Sequence, residues 1–311
     1  MEFTKYIAPD GSEYSFDHDD RFLMTEDGLG MPPIEYITQR GAYEHGETLV
    51  DFRLTQRIIQ MQIRQNSCSR YTYWEKRALL LNMIRPNRFV STFEAGVLRK
   101  ELPDGTSRDI KAIIDQGPGF VSRTPGRWDE WGFTETLRFI AHNPIFFNPV
   151  KKTITIDPLT TPVVPPAEWE LPWEFPMWFG ETAYFISTAS HPALTFSYPG
   201  TWLEYPVITI VGPALGLILT NVTTGEFLRF NYAIPAGDTV TVTLDPGNKT
   251  VIDNHGTNLA GTLSSDSDFT EFHIACEPEA PLGVNVLTIA VAGTTAASSL
   301  KIDYYERYIG I

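Results

Sequence analysis

The sequence predicts a mainly β protein in two parts: an N-terminal antiparallel β domain with one packed helix, then a C-terminal β-sandwich or jelly roll. Three observations predict it. Gly and Pro number 23 each among 311 residues, which favours many turns over long helices. In the first half, apolar and polar residues alternate with the period of strands, and one stretch has helical spacing instead. In the second half, turn signals recur about every 8–12 residues with almost no helical pattern, the rhythm of a sandwich or jelly roll.

Taken in order, the turn Gly30-Met31-Pro32-Pro33 leads into a short strand at 34–37. Residues 47–64 read as a long β segment, its later part placing Ile59, Met61 and Ile63 on one face and Gln60, Gln62 and Arg64 on the other. Residues 71–84 read as the helix, with Trp74, Leu80 (or Leu81) and Ile84 as its expected buried stripe and Pro86 as its stop. Strands follow at 89–94 and 97–102, then the hairpin turn Pro103-Asp104-Gly105-Thr106. Residues 107–115 alternate Ile110, Ala112 and Ile114 against charges, and 131–141 alternate Phe133, Leu137 and Phe139 against Thr and Glu. Four prolines within 157–166 mark a stiff connection. Domains are therefore expected at 1–155 and 176–311, joined by a Pro- and Trp-rich linker at 156–175. Strands of the second domain are expected at 184–187, 193–198, 207–211, 217–221, 227–232, 238–244, 250–253, 271–274, 285–291 and 300–305.

The formal net charge is −14. Residues 1–150 hold 18 Lys and Arg against 21 Asp and Glu; residues 151–311 hold 6 against 17. Such a balance argues against a nucleic-acid binder, which needs clustered cations for phosphate. Cys68 and Cys276, one in each half, read as free thiols of a protein made in a reducing cytosol. The acidic, turn-containing start is no signal peptide. The longest apolar stretch, 207–219, is broken by Gly212-Pro213 and Gly216, so no membrane segment is expected.

No catalytic, cofactor-binding or metal motif is present. The six histidines stand apart from one another. Asp17-His18-Asp19-Asp20 lacks the Gly and distal Glu of a calcium loop and reads as a solvated turn. The most unusual feature is aromatic density. The stretch 169–178 interleaves Trp169, Trp173 and Trp178 with prolines, which bars a regular helix or central strand. With Trp202, these are the candidate sugar or partner contacts, set against the plainer reading that they pack the sandwich or its junction with the linker.

Taken as an ordered set, several segments resemble the distal tail proteins of long flexible-tailed (siphovirus-type) bacteriophages. In the first half these are Gly30–Tyr36, the stretch around Gly41–Gly46, the β segment from Asp51 to Arg64, the helix and Leu98–Gly117. In the second half they are Tyr205–Pro213, Leu219–Glu226, Ile234–Val242, Pro281–Val286 and Ile302–Tyr308, similar to the jelly-roll or galectin-like domain of phage tail components. The resemblance implies a structural virion protein with no enzyme activity and no cofactor. Six copies would form a ring at the tail tip, assembled in the host cytoplasm, between the tail-tube protein and the tail-hub protein. DNA would pass the lumen without specific binding. A receptor-binding protein or a host glycan is the candidate partner of the outward domain, and a carbohydrate-binding adhesion module is the alternative reading.

Overall fold

The computed structural model describes residues 3–18, 20–43, 45–86, 95–120, 131–157, 159, 189–190 and 193–311. The chain divides into two compact units, Met1–Pro149 with Arg307–Ile311, and Val150–Glu306. The strand Lys152–Ile156, on the first-domain side of the boundary read from sequence, pairs along Leu300–Tyr304 in the second unit. Most of the expected linker, and the expected strands at 89–94 and 184–187, lie outside the described residues.

The first unit contains β1 (Phe3–Ile7), β2 (Glu13–Ser15), β3 (Arg21–Asp27), β4 (Ile34–Gln39), β5 (Thr48–Leu54), β6 (Arg57–Ser67), α1 (Arg70–Ile84), β7 (Gly96–Glu101), β8 (Ser107–Gln116), β9 (Trp131–Ala141) and β10 (Phe146–Phe147). The main antiparallel sheet runs β2-β1-β7-β8-β9-β6-β3, with β10 on β8 and the strand Arg307–Tyr308 on β10. Side chains tie its two ends together. Glu26 of β3 accepts from Thr4 of β1 at 3.2 Å and from Lys100 of β7 at 2.5 Å. Arg21 of β3 donates to the Ser15 carbonyl of β2 at 3.1 Å.

The inner face follows the period-two pattern. Ile59, Met61 and Ile63 of β6, Ile110 and Ala112 of β8, and Phe133, Leu137 and Phe139 of β9 are buried together. Glu135 differs from the expectation: it shares that inner face, and its carboxylate accepts from the Gly119 amide at 3.0 Å. α1 begins in a capping box, in which the Ser69 hydroxyl accepts from the Thr72 amide and the Thr72 hydroxyl accepts from the Ser69 amide. It ends ahead of Pro86, whose ring disfavours helix in the residue before it. Leu80 and Ile84 are buried as expected, but Trp74 is 53% exposed. The stripe is offset by one residue: Tyr73, seven positions before Leu80, takes the inward place and meets the Phe133 ring edge-on at 6.0 Å. So many apolar residues line this helix that its sequence permits either phase.

The second unit contains β11 (Lys152–Ile156), β12 (Ala189–Ser190), β13 (Leu194–Ser197), β14 (Val207–Val211), β15 (Ala214–Asn221), β16 (Phe227–Arg229), β17 (Ala233–Ile234), β18 (Thr239–Thr243), β19 (Thr250–Asp253), β20 (Val284–Ala292) and β21 (Ser299–Tyr304). One sheet runs β11-β21-β14-β18-β19. The other runs β12-β20-β15-β16, with β13 also on β20 and β17 on β15. Inward residues of both sheets, among them Ile208, Ile210, Leu219, Val240, Val242, Ile289 and Ile302, form one core. This is the expected antiparallel sandwich. The strand expected at 271–274 is instead turn and coil with one isolated bridge, Glu204 to Ile274. Two fully buried asparagines replace its ladder. Asn221 donates to the His273 carbonyl at 2.8 Å, while the Asn285 side chain accepts from the Ala275 amide and donates to its carbonyl at 2.9 and 2.8 Å.

Leu80→Ala should destabilise the first unit by about 2–5 kcal/mol, the usual result of emptying a core leucine site. Trp74→Ala should change it by less than about 1 kcal/mol, because the indole leaves little void. Thermal melts of the two variants check both; a large loss for Trp74→Ala would restore the original helix phase.

Candidate functional site

The hairpin β4–β5 forms a sheet of its own. Register explains its two faces. Ile34 pairs with Leu54 and Tyr36 with Phe52, so these four side chains share one face. Glu35 opposite Arg53 and Ile37 opposite Asp51 occupy the other, until a bulge after Ile37 shifts the pattern. Tyr36 is 60% exposed, and Val50, Leu49 and Phe52 are also exposed. Tyr43, between the strands, is 99% exposed. Two-stranded ribbons are marginal in water unless something packs on them. Contiguous exposed apolar residues are, in general, the kind of surface that marks protein contacts. The sequence suggested a short strand at 34–37 and one continuous segment from 47; it did not show the break at Thr55-Gln56 that separates arm from sheet. Gly41 and Gly46, between two β-prone runs, were the available hairpin signal.

The roots of the arm are fixed by Arg57, the first residue of β6, which is 1% exposed. Its Nη1 donates to the carbonyls of Gly28 at 2.7 Å and Gly30 at 2.5 Å. Its Nε donates to Pro144 at 2.8 Å and its Nη2 to Ile309 at 2.6 Å. The guanidinium also lies 4.7 Å from the centre of the Phe146 ring. Burial lowers its pKa to about 10, which leaves it charged at neutral pH. Gly28 is required at the outgoing root: its φ is +88°, and a Cβ there would stand 2.1 Å from the Ile58 carbonyl oxygen. Across the base, the Thr55 amide donates to the Pro33 carbonyl at 2.9 Å.

Of the tryptophans singled out from sequence, Trp169, Trp173 and Trp178 lie outside the described residues. Trp202 is half-buried, and its carbonyl accepts from the Tyr198 hydroxyl at 2.8 Å. The acidic run also has internal partners: Asp17 accepts from the Leu23 amide at 3.2 Å, and Asp20 pairs with Lys76. Among the described residues no His, Cys, Asp and Glu group could hold a metal ion, and no helix is long and apolar enough to cross a membrane.

The second unit contains a titratable cluster that no sequence motif announced. His273 Nε2 lies 2.9 Å from a Glu279 oxygen, and Nδ1 lies 2.8 Å from the Glu271 carbonyl and 3.1 Å from a Glu226 oxygen. A neutral imidazole has a single N–H, so only the imidazolium can donate to acceptors on both sides. Burial opposes that charge, but the Glu279 hydrogen bond, the Glu271 carbonyl and the Glu226 and Glu279 charges outweigh it and raise the pKa above its ordinary value. The clamp fastens the 264–283 segment to the β15–β16 turn.

Together the two units define a class by fold: an antiparallel sheet with one helix and an exposed arm, followed in sequence by an antiparallel sandwich. Residues 199–308 match the family model described as siphovirus-type tail component, C-terminal domain. The crystal structure of the SPP1 Dit protein, described as a paradigm of the hub adsorption apparatus in phages infecting Gram-positive bacteria, has the same fold: 15% identity, 99% of each chain covered, TM-score 0.59. A chain of the phage P2 baseplate in its Ca-activated conformation aligns at 10% identity over 97% of this chain and 98% of that one, TM-score 0.46. No curated protein matches the chain by sequence. Residues 199–308 are thus similar to a siphovirus-type tail component domain, as the resemblance in the sequence implied, and the whole chain has a Dit-like fold.

Arg57→Met should cost the first unit about 3–5 kcal/mol, because carbonyls stranded without partners cost ~1–3 kcal/mol each. Arg57→Lys should not restore it, since a point-like ammonium cannot span the four acceptors. Chemical denaturation measures both; a Lys variant as stable as the parent would show that charge alone suffices. For His273 the raised folded-state pKa gives the sign. Its contribution is complete below the unfolded value of about 6.5 and is lost as pH rises through the folded value. The second unit should therefore melt at lower temperature at pH 9 than at pH 6, and His273→Gln should reduce that difference. An unchanged difference in the variant would assign it to other groups.

Proposed function

We propose that this tail component is a structural adaptor: six copies form a ring at the tail tip, joining the tail-tube protein to the tail-hub protein. The observation that carries the reading is the β4–β5 arm. It exposes Tyr36, Val50 and Phe52 on a ribbon that lacks a core of its own. Such a ribbon gains stability by packing on a neighbour. The second unit, closed as a sandwich, serves as the outward domain on which a receptor-binding protein or host glycan is met. The role is assembly rather than catalysis. The carbohydrate-binding alternative rests on Trp169, Trp173, Trp178 and Trp202; Trp202 is half-buried, and the exposed arm favours the adaptor reading.

Light scattering on the full chain should give an oligomer near six times 35.0 kDa. Tyr36→Ser with Phe52→Ser should dissociate it while leaving the far-ultraviolet circular dichroism unchanged. A wild-type chain that stays monomeric at every concentration overturns the reading. The ring should also fail to retain duplex DNA at about 0.15 M salt, as a lumen that passes DNA must not bind phosphate tightly. A stable gel shift at that salt would contradict it.

A further inference from the structure

We infer that the arm of one copy docks on the exposed face of α1 in the next copy. The inference rests on the ring reading and names the two surfaces that would close it. A cyclic ring of more than two copies needs a heterologous contact, one patch meeting a different patch on its neighbour. The arm supplies the first patch. The second must be exposed, apolar at its centre and opposite in charge.

α1 has those properties. Tyr71, Trp74 and Leu81 recur at helical spacing on its solvent side, and all three are exposed. Trp74 retains half its surface even though the Tyr73 ring meets it edge-on and Arg77 lies over it at 4.6 Å. Exposed Trp and Tyr beside Arg are the residue types that carry most binding energy at interfaces. Arg70 and Arg85 bracket the stripe, both exposed.

Charge favours this pairing over arm against arm. Residues 70–85 carry four cations (Arg70, Lys76, Arg77 and Arg85) against one acid, Glu75, net +3; Lys76 is already paired with Asp20, which leaves +2. Residues 34–54 carry four acids (Glu35, Glu44, Glu47 and Asp51) against Arg40 and Arg53, net −2. Two arms facing each other would juxtapose like charge and close as a dimer; arm on helix brings opposite charges together and leaves each end of the pair free to continue. Length is sufficient: strands of six and seven residues extend about 20 Å from the arm's root.

The test uses two full-length double variants with substitutions at exposed positions. One silences the arm (Tyr36→Asp with Phe52→Asp) and the other silences the helix (Trp74→Asp with Leu81→Asp). Circular dichroism and melting establish that both fold. Each alone should be monomeric by light scattering. Mixed, they should form a one-to-one dimer of twice 35.0 kDa and nothing larger, since the intact arm of one meets the intact helix of the other and both remaining surfaces are dead. A folded helix-silenced variant that assembles like wild type overturns the inference while leaving the ring reading intact. A mixture that stays monomeric also overturns it. A wild-type chain that is monomeric throughout overturns the ring reading itself and this inference with it. A milder pair guards against misfolding: Arg70→Glu with Arg85→Glu should weaken assembly about tenfold, and Glu47→Arg with Asp51→Arg on the arm should restore it. No restoration counts against the pairing.

Discussion

Four carbonyl groups converge on the buried guanidinium of Arg57, and the geometry of the first unit depends on that convergence. Gly28 and Gly30 belong to the outgoing root of the arm, Pro144 to the turn before β10, and Ile309 to the segment that returns after the second unit. Backbone pairing joins them only in part: β10 pairs with the strand Arg307–Tyr308, and the Ile311 amide donates to the Leu29 carbonyl. The planar donor fork of Arg57 adds bonds that tie all three to the start of β6. Among the described residues no carboxylate pairs with this ion, and its desolvation is offset by carbonyl dipoles and the Phe146 ring face. Removing the side chain leaves several buried acceptors unpaired at once.

The same constraint explains how a marginal ribbon can be a specific surface. The arm has no core, yet its base is held by Arg57, by the Thr55–Pro33 hydrogen bond and by a left-handed Gly28 that admits no Cβ. A fixed base limits the directions in which Tyr36 and Phe52 can be presented, which lowers the ordering cost of binding. The closed sandwich of the second unit offers a contrast. Its inward apolar residues meet across the two sheets in one core. Its His273 clamp instead ties a long irregular segment to the sheet by charge.

What the sequence revealed follows from which forces are local. Period-two alternation placed Ile59, Met61 and Ile63 inside, because a strand half-buried on a sheet must alternate. The turn at Pro103–Thr106 and the strands at 207–211 and 250–253 were legible for the same reason. The phase of α1 was not: Tyr73 and Trp74 are neighbours of similar hydrophobicity, and only the position of Phe133 selects one. Glu135 lies two residues from both Phe133 and Leu137, so strict alternation puts it on their face; its charge argued for the other, and the Gly119 amide supplies the inward partner. The 271–274 segment looks strand-like, but buried Asn221 and Asn285 satisfy its backbone from elsewhere. Arg57 gave no signal, since four carbonyl partners carry no residue identity. The family resemblance succeeded where motifs were absent because it drew on the order of many segments.

Assembly through the arm is the central claim, and rotational symmetry tests it most directly. Negative-stain class averages of the purified full-length protein should show closed rings with sixfold symmetry and an open lumen. The same protein with residues 34–54 replaced by a short glycine-containing turn should show single particles of monomer size. Wild-type averages showing only monomers or twofold dimers, or sixfold rings that persist without the arm, would contradict the account.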